Sequence, residues 1–170
     1  MKILMDELMI KRSLKRISHE IIEKNKGVEN VILVGIKTRG EAIAKRLQEN
    51  IKEIEGVDVP CISIDFSYWR DDVVDGVHNI EEIAIDFTDK IVILTDDVLY
   101  RGRTVRAAMD GIMHYGRAKM IELAVLVDRG HRELPIKADF VGKNIPTSEK
   151  EVIKVKFREF DNEDDKVLII

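Results

Sequence analysis

The sequence predicts an α/β protein with a mostly parallel sheet, helices on both faces of that sheet and a small irregular hood. Two observations predict this class. Several short apolar runs are rich in β-branched residues, as expected of strands buried on both faces. Segments with helical spacing separate these runs, which is the order of repeated βαβ units. The length of 170 residues suits one domain, residues 1–170, with hood elements at about 128–170.

The first predicted element is a basic amphipathic helix at about residues 7–26. Its apolar residues recur three and four positions apart and are Ile10, Leu14, Ile17 and Ile21. Basic residues including Lys15, Arg16 and His19 then cluster on the opposite face. Gly27 follows, in the position where a glycine commonly ends a helix.

The next elements alternate between strands and helices. In order, they are a strand at Val31–Ile36, a helix at 41–50, a strand at Val59–Phe66, a strand at Ile91–Leu94, a helix at Val105–Tyr115 and a strand at Ile121–Val127. Such alternation indicates a parallel sheet, because each return to a parallel strand requires a crossover.

The remaining segments are less regular. Residues 67–90 are polar and long enough for a functional loop, although a plain surface hairpin is an equal alternative. Residues 128–150 contain two of the three prolines and predict an irregular cap. A further strand is expected at Val152–Phe157 and a terminal one at Val167–Ile170.

Charge is segregated along the chain although the net charge is only −4. Residues 11–26 carry six basic and two acidic side chains, whereas residues 158–166 carry two basic and five acidic ones. The N-terminal helix therefore remains a candidate for binding an anionic partner. No apolar run approaches the roughly 18 residues of a membrane span, so we expect a cytoplasmic protein with no membrane partner. No Cys/His spacing predicts a metal cage.

The most informative stretch runs from Val92 to Thr104. A buried strand delivers the adjacent carboxylates of Asp96 and Asp97, and a loop containing Gly102 then opens a helix. Backbone amides at such a turn favour an anion, while the carboxylates suit a sugar diol or Mg²⁺. Adjacent side chains on a strand point to opposite faces. An open alternative is therefore that one of the two aspartates is only solvated or caps the next helix.

This run resembles the phosphoribosyl-pyrophosphate motif of type I phosphoribosyltransferases, whose fold the resemblance therefore implies. Four further stretches match and are Val34–Gly40, Arg70–Asp72, Leu126–Pro135 and Gly142–Ser148. Across roughly residues 7 to 155 the chain is similar to those family members that regulate pyrimidine operons by transcription attenuation and also have uracil phosphoribosyltransferase activity. The Asp128 to Ser148 stretch makes the resemblance specific.

The resemblance implies conversion of uracil and phosphoribosyl pyrophosphate to UMP and pyrophosphate, with Mg²⁺ carried by the pyrophosphate and no certain protein ligand. Asp96 and Asp97 would hold the ribose hydroxyls, and Thr38 and Arg39 the pyrophosphate; Asp96, Asp97 and Arg39 are the catalytic candidates. The implied substrate-binding residues are Thr38, Arg39, Asp96, Asp97, Val98, Leu99, Tyr100, Arg101, Gly102, Arg103 and Thr104.

The same resemblance implies RNA binding. A basic surface would bind a stem-loop in the leader of pyrimidine operon mRNA, promoted by uridine nucleotides such as UMP or UTP, in a homodimer or homotetramer. The implied RNA-binding residues are Lys15, Arg16, His19, His131, Arg132, Lys137 and Lys143. From the helix alone, a solvated basic face is the competing interpretation.

One position departs from the family pattern, because Arg101 stands where threonine is usual in the phosphate loop. Arginine loses a compact hydroxyl but adds a charged fork. Three hypotheses follow. The protein is a bifunctional regulator and enzyme, a regulator with weak or no catalysis, or a salvage phosphoribosyltransferase with no role on RNA. A purine phosphoribosyltransferase is a more distant alternative.

Overall fold

The computed structural model describes residues 1–72, 76 and 78–170, so the predicted loop at 67–90 lies partly outside the described residues. The strands are β1 (Lys2–Met5), β2 (Val31–Ile36), β3 (Cys61–Ile64), β4 (Ile91–Leu99), β5 (Met120–Asp128), β6 (Phe140–Asn144), β7 (Ile153–Lys156) and β8 (Lys166–Ile169). The helices are α1 (Glu7–Lys24), α2 (Gly40–Glu55), α3 (Arg103–Tyr115) and the short α4 (Arg158–Asp161), with a 3₁₀ turn at Ser67–Trp69.

The main sheet has five strands in the order β3-β2-β4-β5-β6, all parallel. Because successive side chains of a strand point to opposite faces, the apolar residues of β2 pack into two cores, one on each face of the sheet. Val31 and Leu33 pack into the core formed with α1 and α2, whereas Ile32 and Val34 pack into the core formed with α3. The prediction of a mostly parallel sheet covered by helices on both faces is therefore confirmed.

Helix α1 follows the spacing predicted for it. Ile10, Leu14, Ile17 and Ile21 are all buried. Asp6 caps the helix, since its side chain accepts a hydrogen bond of 2.8 Å from the Met9 amide. The helix packs on α2 and on β6, which leaves its basic residues toward solvent.

A second sheet of three antiparallel strands, β1-β8-β7, forms the hood. It includes β1 from the start of the chain, which the sequence patterns did not predict. The interpretation of residues 128–150 as wholly irregular is wrong, because β6 extends the main sheet there by pairing with β5. β6 has a buried Phe140 but exposed Lys143 and Asn144, so its apolar pattern is too short to recognise.

Two predicted strand ends also differ from the structure. β3 is shorter than predicted, and β4 continues through Asp96 and Asp97 to Leu99 because its pairing with β5 persists to that point. Among the described helices, none is both long enough and apolar enough to cross a membrane.

Candidate functional site

The two aspartates lie at the carboxyl end of β4, where ligands of parallel sheets bind. Asp96 lines a cavity of about 660 Å³, whereas Asp97 lines a separate cavity of about 330 Å³ together with Arg39 and β7. The neighbours point to opposite sides because both still belong to the strand. The structure therefore brings Asp96, but not Asp97, to the wall of the large cavity.

The loop between β4 and α3 forms much of the remaining wall of the large cavity. The wall residues from this region are Val98, Leu99, Tyr100, Arg101, Gly102, Arg103 and Thr104. Gly102 has a φ of 89°, a left-handed conformation that favours glycine, and directly precedes the first turn of α3. The unpaired amides of that turn make the cavity attractive to an anion.

Arg70 is a residue of this cavity to which the sequence patterns gave no role. Its Nη1 donates a 2.8 Å hydrogen bond to Thr104 Oγ1, and its Nε and Nη2 bind the carboxylate of Asp72 at 2.8 and 2.6 Å. The Arg70 guanidinium holds the pKa of Asp72 below its usual range. The sequence singled out the Arg70–Asp72 run as a match to the family. It could not show that Arg70 contacts Thr104, 34 positions away, because only the fold brings these two residues together.

Asp96 sits in an unfavourable environment for a carboxylate. Burial, and then the charge of Asp97, raise the pKa of Asp96 well above its usual value, against the opposing effect of Arg70. Its Oδ1 accepts a hydrogen bond of 2.9 Å from the Asp97 amide. A cation, or a ligand that donates hydrogen bonds, would stabilise the charged form of Asp96. Carboxyl groups with strongly shifted pKa values are common at functional sites.

The loop that carries Thr38 and Arg39 is pressed against β4. A Cβ atom added to Gly40 would lie 2.3 Å from the Thr95 carbonyl oxygen, so only glycine permits this approach. Thr95 Oγ1 also donates a hydrogen bond of 2.8 Å to the Gly40 carbonyl. Thr38 is exposed, and the Lys37–Thr38 peptide is cis.

Arg39 is turned toward the hood. Its Nε donates to the Val155 carbonyl at 2.9 Å, and its Nη2 pairs with Asp161 at 2.8 Å. Arg39 and Asp97 line the same smaller cavity, so the structure brings these two predicted residues together there.

Arg101 lines the large cavity and contacts Tyr100 and Glu133. Its side chain is 58% exposed, its guanidinium lies 5.1 Å from the centre of the Tyr100 ring, and its Nε is 3.5 Å from Glu133. Tyr100 is also covered by Arg129 at 3.8 Å.

The predicted RNA-binding residues fall into two groups. The first lies where α1 meets β6: Arg16 donates to the carbonyls of Val141 and Gly142 at 3.0 and 2.7 Å. Lys143 lies on the same strand, and exposed His19 lies on the same helix. This surface also contains carboxylates, because Lys15 pairs with Glu53 and Arg16 with Glu20.

The second group lies on the segment between β5 and β6. His131 and Arg132 line a cavity of about 440 Å³ together with Tyr100, Arg101 and Glu133 of the phosphate-loop region. His131 Nε2 contacts the Thr147 carbonyl at 2.5 Å. Lys137 is exposed and lines a different, smaller cavity, so the structure does not bring it to the cavity of His131 and Arg132.

A parallel sheet that ends in a carboxylate pair and a phosphate-type loop defines the phosphoribosyltransferase class. The family model of the phosphoribosyl transferase domain matches residues 2–159. Among curated relatives, the Bifunctional protein PyrR of Caldicellulosiruptor bescii is 56% identical over 172 residues, covering 99% of this chain and 94% of that protein. The Bifunctional protein PyrR of Oceanobacillus iheyensis is 55% identical and covers 95% and 93%. The chain belongs to the phosphoribosyl transferase domain family and, within it, to the bifunctional PyrR proteins.

Solved structures with the same fold are more distant in sequence. The hypoxanthine phosphoribosyltransferase of Trypanosoma cruzi aligns with a TM-score of 0.78 at 18% identity, covering 99% of this chain and 95% of the other. A hypoxanthine-guanine phosphoribosyltransferase of Bacillus anthracis aligns with a TM-score of 0.75 at 20% identity, covering 100% and 98%. At these identities the likeness confirms the type I phosphoribosyltransferase fold alone.

Proposed function

We propose that this protein is a cytoplasmic, uridine-nucleotide-sensing, RNA-binding regulator of pyrimidine operon attenuation that also makes UMP and pyrophosphate from uracil and phosphoribosyl pyrophosphate. The observation that carries the proposal is the cavity in which Asp96 faces the loop at 98–104, in a chain 56% identical to a bifunctional PyrR protein. The other hypotheses raised by the sequence weaken or omit one of these two activities or, for a purine phosphoribosyltransferase, change the substrate.

In the enzymatic half, the loop amides and the start of α3 bind the 5′-phosphate, and the Asp96 carboxylate in the same cavity accepts hydrogen bonds from the ribose hydroxyls. Asp97 lies on the other side of β4, in the cavity of Arg39. A uracil nitrogen then attacks the anomeric carbon as the bond to pyrophosphate breaks. Such a reaction depends on positioning, exclusion of water and stabilisation of the leaving group rather than on a protein nucleophile. Arg39 contributes to the last of these by exchanging Asp161 for pyrophosphate.

Mg²⁺ fits the residues that the structure describes. Within those residues, no group of three or more His, Cys, Asp or Glu side chains could enclose a metal ion. Mg²⁺ usually binds through one or two carboxylates together with substrate phosphates and water. Asp96 and Asp97 line separate cavities, and each would supply carboxylate oxygens to an ion on its own side of β4. When bound, the ion would neutralise charge that develops on pyrophosphate.

In the regulatory half, the two groups of basic residues contact the RNA stem-loop. Cations on α1 and β6 neutralise phosphates, and the segment around His131 and Arg132 lies beside the nucleotide cavity. This position supports regulation by nucleotide, because one segment borders both ligands. A homodimer or homotetramer would extend the basic surface by symmetry.

The decisive experiment is uracil-dependent release of pyrophosphate from phosphoribosyl pyrophosphate with Mg²⁺, with RNA binding measured on the same preparation. We expect turnover with uracil but not with hypoxanthine or guanine, and tight binding of a pyrimidine operon leader stem-loop but not of a scrambled stem-loop. Binding of UMP and RNA without turnover would leave only the regulator, and turnover without specific RNA binding would leave only the enzyme. Turnover with purine bases would contradict the substrate assignment.

A further inference from the structure

Glu133 lies between the two functional regions and has no role in the proposed reaction. Its carboxylate oxygens are 3.5 Å from Arg101 Nε and 3.2 Å from Arg103 Nε, and its amide donates a hydrogen bond of 3.0 Å to the Arg101 carbonyl. Glu133 therefore contacts the phosphate loop through both side chain and backbone. Its two arginine partners line the large cavity, and so does Glu133 itself.

The pairs with Arg101 and Arg103 are easily exchanged. The Glu133 side chain is 46% exposed, and exposed ion pairs contribute little net free energy. A phosphate carries more negative charge than a carboxylate and offers more acceptor oxygens to an arginine fork. A ligand phosphate in this cavity would repel Glu133 and compete for its two arginines.

Replacement of Glu133 by a phosphate at Arg101 and Arg103 would also affect residues outside the large cavity. Tyr100, Arg101 and Glu133 line both this cavity and the neighbouring one that contains His131 and Arg132. The residues that follow Glu133 cover the phosphate loop, since a Cβ atom on Gly102 would lie 3.6 to 3.8 Å from Ile136 and Leu134. The segment 130–136 is thus tied to the phosphate loop at the point where the phosphate would bind.

We propose that Glu133 is a further residue of the nucleotide site, and this inference rests on the proposed function. Glu133 acts as an internal anion that a ligand phosphate displaces from Arg101 and Arg103. Its displacement loosens the segment 130–136, which carries His131 and Arg132 and stays joined to the phosphate loop by the backbone hydrogen bond from Glu133 to Arg101. Glu133 thereby makes the site respond to the phosphate of a uridine nucleotide rather than to the base and ribose alone.

The first test compares binding of UMP and of uridine by isothermal titration calorimetry in the wild type, Glu133→Gln and Glu149→Gln. Glu149 is the matched control, because it lines the cavity of His131 but, within the part of the chain that the structure describes, forms no ion pair with Arg101 or Arg103. We expect Glu133→Gln to tighten UMP binding about two- to fivefold, the range of an exposed ion pair, and to leave uridine binding unchanged. Equal affinities for UMP in wild type and Glu133→Gln, or equal gains for UMP and uridine, would overturn the proposal.

A second measurement does not require a nucleotide. Amide hydrogen exchange of residues 130–136 should be faster in ligand-free Glu133→Gln than in the wild type and unchanged in Glu149→Gln. Identical exchange in all three proteins would show that the Glu133 pairs do not hold the segment. A wild type that binds no UMP would contradict the proposed function, whereas normal UMP binding that is insensitive to Glu133→Gln would contradict the role of Glu133 alone.

Discussion

Asp96 is a carboxyl group whose charged form the fold disfavours. Burial and the charge of Asp97 raise its pKa above the ordinary 3.8, so the folded protein binds a proton here more tightly than the unfolded chain. In the interval between the unfolded and folded pKa values, stability falls as pH rises. Below the unfolded pKa the penalty is absent, and above the folded pKa it is complete.

We therefore predict that Asp96→Asn raises the melting temperature at pH 8 and gives no gain near pH 3.5. The amide keeps the oxygen that accepts the Asp97 hydrogen bond, so the geometry is preserved. The same substitution should lower kcat/KM about 10- to 100-fold, since it removes a charged acceptor for ribose. Calorimetry and the pyrophosphate assay measure the two effects.

Asp110→Asn is the control, because Asp110 lies on the exposed face of α3 and pairs with Arg106. It should change neither quantity appreciably. A melting temperature of Asp96→Asn at or below that of the wild type at pH 8 would show that the Asp96 charge is not a cost to the fold.

Arg101→Thr introduces the threonine that is usual at this position of the phosphate loop in the family. Because Arg101 lies over Tyr100 and beside Glu133, and is 58% exposed, we predict a change in kcat/KM of less than about fivefold. The pyrophosphate assay with saturating uracil measures it. A gain of more than tenfold would show instead that the native arginine impairs the loop.

The junction of β2, α2 and β4 depends on Gly40 having no side chain. Gly40→Ala would place a Cβ atom 2.3 Å from the Thr95 carbonyl oxygen, directly before Asp96. We predict a loss of about 1–3 kcal/mol in the free energy of unfolding, together with a fall in kcat/KM as the loop of Thr38 and Arg39 moves from β4. Urea denaturation and steady-state kinetics measure the two effects.

Gly56→Ala, at the other end of α2, separates stability from catalysis. Gly56 has a φ of 71° but open space around it, so alanine there should cost about 1 kcal/mol from backbone strain and leave the kinetics unchanged. If Gly40→Ala resembled Gly56→Ala in both measurements, the close approach to Thr95 would have no role in forming the site.

Elements with strong local patterns could be predicted from the sequence, and those fixed by distant partners could not. The buried run of β2 and the spacing of α1 contain enough apolar residues to identify their class. β1 and β6 are short and partly exposed, and only pairing with β8 and β5 makes them strands. Their sequences alone do not bury enough surface to be recognised.

The same distinction holds for the candidate site. The motif at 95–104 places the carboxylates and the loop together because they are adjacent in the chain. Arg39 pairs with Asp161, 122 residues away, and Arg103 forms a hydrogen bond with Glu133, 30 residues away. Such contacts follow from the packing of the hood and of segment 130–136 on the sheet, which no local spacing encodes.

The proposed RNA-binding surface is a property of the whole molecule, since it draws on α1, β6 and the segment between β5 and β6. We predict that Arg16→Gln weakens leader-RNA binding and reduces the slope of log K against log salt by about one, as loss of one phosphate contact requires. Arg117→Gln is the control, because Arg117 is exposed in the turn between α3 and β5, and α3 packs on the face of the sheet opposite to α1. Filter binding over a range of salt concentrations measures both, and equal slopes for the wild type and Arg16→Gln would exclude a phosphate contact at Arg16.

The large cavity, which we propose binds the nucleotide, and the cavity of His131 share a wall, so occupancy of one should alter the other. If UMP and RNA bind to coupled states, each must tighten the binding of the other by the same factor, because the two orders of binding reach the same complex. We predict a factor between about 5 and 150, the usual range of such coupling, measured once as RNA affinity with and without UMP and once as UMP affinity with and without RNA. Arg16→Gln should weaken RNA binding but leave this factor unchanged, since Arg16 contacts β6 rather than the shared wall. A coupling factor of one in the wild type would mean that UMP and RNA bind independently, so that nucleotide binding does not regulate RNA binding.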